Sequence, residues 1–541
     1  MNDTAARTTP GHDDTAPSPR RRPGAGLAVL LSAVALLFGL GPAAEADSTA
    51  GGDVHVAQTL GARELTVVLR RITGVPGPLH VDVITRAGTA AGRLTLAVVP
   101  TGVSTSAPAA SASGTTVDTA VITLGSRPGT FSAVLDVTQV GPWELSLGDG
   151  RRTARIPFVV PKQTASPAET AAYAGFSGAG VLVLATVLVA VRVRRVWWTL
   201  LPAGGLVACL TVAVTGALLS SRLPLPPSQG DDVDATVDGV SDPYAYVGRQ
   251  TRDYSRPPAT LLLSSSTDRA GEVAELRLAL SDASTGLPLD DVVVHDGALL
   301  HLLVIGPSGR LWHLHPIRTG AGEFEVPLAL PEAGHYAVST EFARRGGGVQ
   351  QLRSATGIDA VPGSGARTTS GDAPAQAGTG ARTVAGVDVR LTASSLVAGK
   401  AAVLTARVGE TATLQPWLGM IGHLVVVGPL SPKAPVGTAT QGAQVWAHAH
   451  SMGALPDGTH DMSDMSGMEG MDRMDSMSGL TSVNGDSKAD ETVAAYGPDV
   501  SFVYTFPAAG HYRIWIQAER DDTILTVPYL LQVADTPARN P

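Results

Sequence analysis

Outside three long apolar stretches, the chain is dominated by short runs in which apolar and polar residues alternate. Between 53 and 160 these include ELTVVLRRI, PLHVDVI, GRLTLAVV, FSAVLDV and ARIPFVV, separated by Gly and Pro. A period of two belongs to a strand with one buried face, and closely spaced turns bring consecutive strands together antiparallel. Residues 47–162 are therefore expected to form a β-sandwich. Residues 258–361 and 385–534 show the same pattern and are expected to form two more sandwiches, each immunoglobulin-like. The Gly- and Pro-rich segments 222–257 and 362–384 are expected to be linkers.

The second and third modules repeat one another. LHLLVIGP from Leu300 matches GHLVVVGP from Gly422, LWHLHP matches WAHAHS, and PEAGHYAVSTEF matches PAAGHYRIWIQA. Such self-similarity implies one duplicated unit. The match pairs His301 with His423, His313 with His448, His315 with His450, and His335 with His511.

The three apolar stretches set the topology. The first follows Arg20-Arg21-Arg22 and ends at Ala44-Glu45-Ala46, the order of a secretory signal, so 1–46 is expected to be removed near Asp47. The second, 171–191, and the third, 196–221, are each long enough to cross a bilayer. The intervening loop, 192–195, carries Arg192, Arg194 and Arg195. Short arginine-rich loops stay in the cytoplasm, which turns all three sandwiches outward. The expected fold class is mainly β: three immunoglobulin-like sandwiches and a transmembrane hairpin of two helices.

Composition narrows the function. The net charge is −9 and lysine occurs only at 162, 400, 433 and 488, which argues against a nucleic-acid surface. The one cysteine, Cys209, lies within an apolar stretch, so disulfide, CxxC and blue-copper sites are excluded. GxSxG, HExxH and Walker-type motifs are absent from the sequence, and no enzymatic activity is expected.

Two patterns carry chemistry. Residues two apart on a strand share a face, so His313 with His315, and His448 with His450, can each offer two imidazoles to one ion. His301 and His423 lie in apolar strands, where a ligand role and a histidine satisfied by a backbone carbonyl are both open. His335 and His511 follow a turn glycine and are expected to be exposed. The second pattern is HDMSDMSGMEGMDRMDSM, which places Met462, Met465, Met468, Met471, Met474 and Met477 at every third position in a chain with only nine methionines. Its Ser, Gly and Asp content makes it an exposed loop within 452–498, and its thioethers are soft donors suited to Cu(I). The expected cofactor is copper, as Cu(I) at the methionines and Cu(II) or Cu(I) at the histidine pairs, with zinc as the other imidazole-bound ion. Imidazole titrates near ~6.5, so Cu(II) binding is expected to weaken as pH falls through about 6.

At these residues, HLLVIGPSGRLWHLHP and QPWLGMIGHLVVV…HAH…FPAAGHYRIWIQ resemble the secreted bacterial YtkA-like and CopC-like β-sandwich domains of copper and heavy-metal handling. The methionine tract resembles the Met-rich repeats of periplasmic copper-resistance proteins. The resemblance implies a membrane-anchored, extracytoplasmic copper-binding protein for buffering, resistance or delivery, with another copper-handling envelope protein as partner. The alternative is an envelope scaffold whose immunoglobulin-like modules bind other proteins and whose histidines are incidental.

Overall fold

A computed structural model describes residues 53–101, 118–160, 166–220, 258–366, 378–451 and 496–536, apart from 71, 73, 74, 346, 432 and 433. The signal segment, the linker 222–257 and the six tract methionines lie outside the described residues.

The alternating runs become strands, paired antiparallel into three two-sheet sandwiches. Module 1 sets the sheet Val54–Leu60, Arg63–Leu69, Gly77–Thr85, Gly129–Val137 against the sheet Asp118–Leu124, Gly92–Pro100, Gly141–Gly148, Thr153–Val160. Module 2 has a four-stranded sheet and a six-stranded one, in which Gly334–Arg344 lies between Val292–Val293 and His301–Ile305, and His301–Ile305 pairs with Leu311–Leu314. Module 3 repeats this plan: Gly510–Arg520 lies between Leu414–Gln415 and Gly422–Leu430, which pairs with Val445–Ser451. Its other sheet begins at Gly380–Val384, within the segment expected to be a linker, because this strand pairs in register with Val387–Ala393.

The two apolar stretches form helices α1 (Pro167–Arg192) and α2 (Leu200–Ser220), both long and apolar enough to cross a membrane. Helix α1 starts in a capping box. Ser166 Oγ accepts from the Glu169 amide at 3.1 Å, and the Glu169 carboxylate accepts from the Ser166 amide at 2.7 Å. The two helices meet through small residues. A Cβ on Gly175 would come within 2.7 Å of the Ala213 nitrogen, and one on Gly216 within 2.7 Å of the Ala168 oxygen. Close backbone approach of this kind supplies packing where apolar burial cannot, because lipid is as apolar as the side chains. Leu184, Leu188, Val191, Leu201 and Leu218 point outward, as a lipid-facing surface requires.

Two strands break the one-buried-face rule. His301–Ile305 is buried at every position, as is Gly422–Leu430 through its first seven residues. Leu302 and Val304 enter the core shared by modules 1 and 2, and Leu424 and Val426 enter that of module 3. The opposite sides, Leu303 and Ile305 with Val425 and Val427, form a separate cluster with Leu311, Trp446 and Trp515. The repeated sheets of modules 2 and 3 therefore face each other across a dry seam, and each strand buries one side in its own sandwich and the other in the neighbour.

Candidate metal centre

The seam places the histidines. Along Gly422–Leu430, His423 shares a face with Val425 and Val427, and register sets His450 opposite His423 and His448 opposite Val425. In module 2, His313 lies opposite Leu303. The two HxH pairs, expected to serve separate modules, instead converge with His301 and His423 at one end of the seam. Within module 2, His301 lies 5.4 and 5.2 Å from His313 and His315 between ring centroids, and His313–His315 is 4.9 Å. Module 3 matches this: His423 lies 5.4 and 5.0 Å from His448 and His450, and His448–His450 is 4.5 Å. His313 and His448 join the two trios, with centroids 4.8 Å apart. The side chains of His301, His315, His423 and His448 are buried, His313 is nearly so, and His450 is 14% exposed.

Five of the six rings are held from outside by an oxygen within bonding distance. His301 Nε2 donates to the His295 carbonyl at 3.1 Å, and His423 Nε2 to the Trp417 carbonyl at 3.3 Å. A carbonyl can only accept, so Nε2 holds the proton in both, and Nδ1 of each neutral ring keeps its lone pair. His313 Nδ1 donates to Gln517 Oε1 at 2.9 Å, and the Gln517 amide nitrogen in turn donates to Thr526 Oγ1. His315 Nδ1 lies 2.6 Å from Glu64 Oε1, and His450 Nδ1 lies 3.2 Å from Asp296 Oδ2. His448 Nδ1 faces Glu341 Oε1 at 3.5 Å, too far for a hydrogen bond. Six nitrogens therefore face inward: Nδ1 of His301 and His423, and Nε2 of His313, His315, His448 and His450.

The outer oxygens also follow the repeat. Glu341 lies opposite His301 and Gln517 opposite His423, so the two are equivalent, and each reaches across the seam to the other module's HxH pair. Glu64 comes from module 1. The Thr59 amide donates to the His315 carbonyl at 2.7 Å, and the His315 amide to Thr59 Oγ1 at 2.9 Å.

The electrostatics favour neutral rings. Burial holds His301, His313, His423 and His448 well below the usual imidazole range, helped by neighbouring imidazoles. His450 is lowered by burial as well, against the opposing pull of Asp296. Burial would raise Asp296, but the hydrogen bond from His295 and the nearby His450 outweigh it and hold it below the carboxylate range. Glu341 is pushed up to about 7, chiefly by burial. The inward nitrogens of His301 and His313 are 3.1 Å apart, and those of His423 and His448 are 3.2 Å apart. In the His301–His313 pair both nitrogens present lone pairs that a cation between them would satisfy; in the other pair His448 Nε2–H can donate to His423 Nδ1, and a cation would replace that proton. The spacing is close to the roughly 3.3 Å between tetrahedral ligands at metal–nitrogen bonds of about 2.0–2.1 Å. Two trios have their ligand atoms within 4.8 Å of one another: His301, His313 and His448, and His423, His448 and His450.

The sequence singled out all six histidines. His335 and His511 do not join the centre; His335 bonds Asp359 at 2.6 Å and Gln441 at 3.3 Å. Glu64, Asp296, Glu341, Gln517 and Trp417 were missed. For Glu341 and Gln517 the signal was available, since they occupy equivalent positions of the repeat. Trp417 packs against His423 and His313, at 4.6 and 5.1 Å between centroids.

Fold and centre together define the class: a membrane-hairpin protein of three immunoglobulin-like modules, with a polyhistidine cluster between the repeated pair. A family model described as a domain of unknown function (DUF8832) matches residues 482–535, the end of module 3. No curated protein matches the chain. Among solved structures, the fibronectin(III)-like modules of Clostridium thermocellum CbhA are similar at 10% identity, over 52% of this chain and 98% of that one, with a TM-score of 0.13. The Escherichia coli adhesin FdeC is similar at 10% identity over 90% and 98%, TM-score 0.13. A putative membrane-anchored protein from Corynebacterium diphtheriae is similar at 8% identity over 91% and 98%, also at 0.13. At these scores none bears on function.

Proposed function

We propose that the protein binds transition metal at the six-histidine centre, as a membrane-anchored, extracytoplasmic metal-handling protein whose physiological ion is copper. The observation that carries this reading is the inward orientation of six imidazole nitrogens, with the opposite nitrogen of each ring facing an outer oxygen. Outer-shell acceptors that fix tautomer and orientation are characteristic of histidine ligands to metal. Among the described residues, the inward His315 Nε2 and His450 Nε2 and the outward His448 Nδ1 are buried without a hydrogen-bond partner. Each such orphan costs about 1–3 kcal/mol, and a bound ion would remove the cost at an inward nitrogen it reaches. Imidazole alone suits copper, zinc, iron and nickel. The preference for copper comes from the adjoining methionine tract and the resemblance to copper-handling sandwich domains.

A second reading is an envelope scaffold, favoured by the succession of immunoglobulin-like modules. In that reading the histidines serve only to hold modules 2 and 3 together. Metal analysis of the full-length protein purified in detergent separates the two. Bound copper or zinc that is lost in the His313→Ala, His315→Ala, His448→Ala, His450→Ala variant supports the metal reading. A metal-free protein that takes up none on titration supports the scaffold.

A further inference from the structure

We infer that the centre takes two ions side by side, one at each module's close pair: His301 with His313 for the first, flanked by His315, and His423 with His448 and His450 for the second. This rests on the reading of the centre as a metal site and concerns its nuclearity. Ring centroids are as close between the modules, 4.8–5.5 Å, as within them, so the division into two sites comes from the nitrogens and from the repeat that duplicates each pair. Each module also closes one ligand pair by itself, His301 with His313 at 3.1 Å and His423 with His448 at 3.2 Å.

A single ion does not use the whole arrangement. Held by His301, His313 and His448, it would leave the buried His450 Nε2 without a partner, which a second ion beside His423 and His448 satisfies. Two divalent ions so close repel each other, and the outer shell offsets this with carboxylates at three rings: Glu64 at His315, Glu341 at His448 and Asp296 at His450. With no more than three protein ligands apiece, each ion keeps an open coordination position, the arrangement of exchangeable rather than purely structural sites.

The test uses Co(II), which thioethers bind poorly, so the methionine tract does not contribute. Equilibrium dialysis of the full-length protein in detergent should give two equivalents of Co(II) per chain. One equivalent would overturn the pair and leave the metal reading intact, whereas none would remove both. His448→Ala with His450→Ala, and separately His313→Ala with His315→Ala, should each retain one equivalent. Loss of both ions from either variant with unchanged circular dichroism would mean one shared site. If a variant fails to fold, the wild-type stoichiometry decides. Loading with Cu(II) gives the proximity readout: adjacent ions should couple, so the integrated spin falls below the bound copper, and a full spin count would overturn adjacency.

Discussion

At the scale of single residues, the centre depends as much on the outer oxygens as on the imidazoles. Glu64 holds the His315 Nδ1 proton outward, so Glu64→Ala should lower metal affinity about 10–100-fold, read by competition titration. Glu64→Gln keeps an acceptor and should lose less. Equal affinity in all three proteins would remove Glu64 from the site. Acid acts on the same groups. His301, His313, His423, His448 and His450 have folded-state pKa values below the ordinary 6.5, so below that pH the unfolded chain binds more protons than the folded one. Stability contributed by these rings is present above 6.5 and is lost as pH falls below it. Glu341 works the other way: raised from 4.5 to about 7, it stabilises the fold at low pH and loses that contribution as pH rises through 7. Five histidines oppose one glutamate, so the urea midpoint of the metal-free protein should be lower at pH 5.5 than at 7.5. The same lowering favours proton competition with Cu(II) at a lower pH than the value near 6 expected of ordinary imidazoles, and a pH titration of Cu(II) binding checks which holds.

At the scale of elements, the seam between the facing sheets is what brings the trios together. Leu303 and Val425 line it and contact no solvent. Leu303→Asp or Val425→Asp would place a charge in that dry interface, a desolvation cost the contact cannot absorb. The expected result is separation of modules 2 and 3 with loss of metal affinity and retention of strand content. It can be checked by limited proteolysis of the linker region beside metal titration. Retained affinity would mean that each HxH pair binds by itself. Much of the element level was legible: the alternating runs became the strands, and the repeat aligned the six histidines. Their convergence was not read, because alternation describes one face and says nothing of what covers the other. HLLVI and HLVVV did carry the hint, since four consecutive apolar positions after the histidine mean burial on both sides. Glu64 left no such trace. It stands 251 residues from His315, and only tertiary pairing brings the two together.

At the scale of the whole molecule, module 1 is tied to both others. Its core is continuous with that of module 2, and Arg86 forms a buried ion pair with Glu519 of module 3 at 2.9 Å. Arg86→Ala leaves the buried carboxylate short of its cation and should destabilise the assembly by about 3–5 kcal/mol, visible as a lower thermal midpoint. The helix hairpin sits between modules 1 and 2 in sequence, and Arg192, Arg194 and Arg195 lie at its turn. If that turn is cytoplasmic, protease added to intact cells should digest modules 2 and 3 and spare the hairpin; protection of both modules would reverse the proposed orientation.

The reach of the centre along the chain also sets the order of its biogenesis. One contributor, Glu64, emerges before the two apolar helices, and another, Gln517, arrives near the end of synthesis. Domains fold largely in the order in which they are made, so the first sandwich must wait, already folded, while the hairpin is inserted and the later modules follow. The strand Gly510–Arg520, which brings Gln517 to His313, is nearly the last to be delivered. The finished centre is therefore a record of completed synthesis: a chain shortened before that strand would never assemble the six-histidine cluster with its Gln517 acceptor.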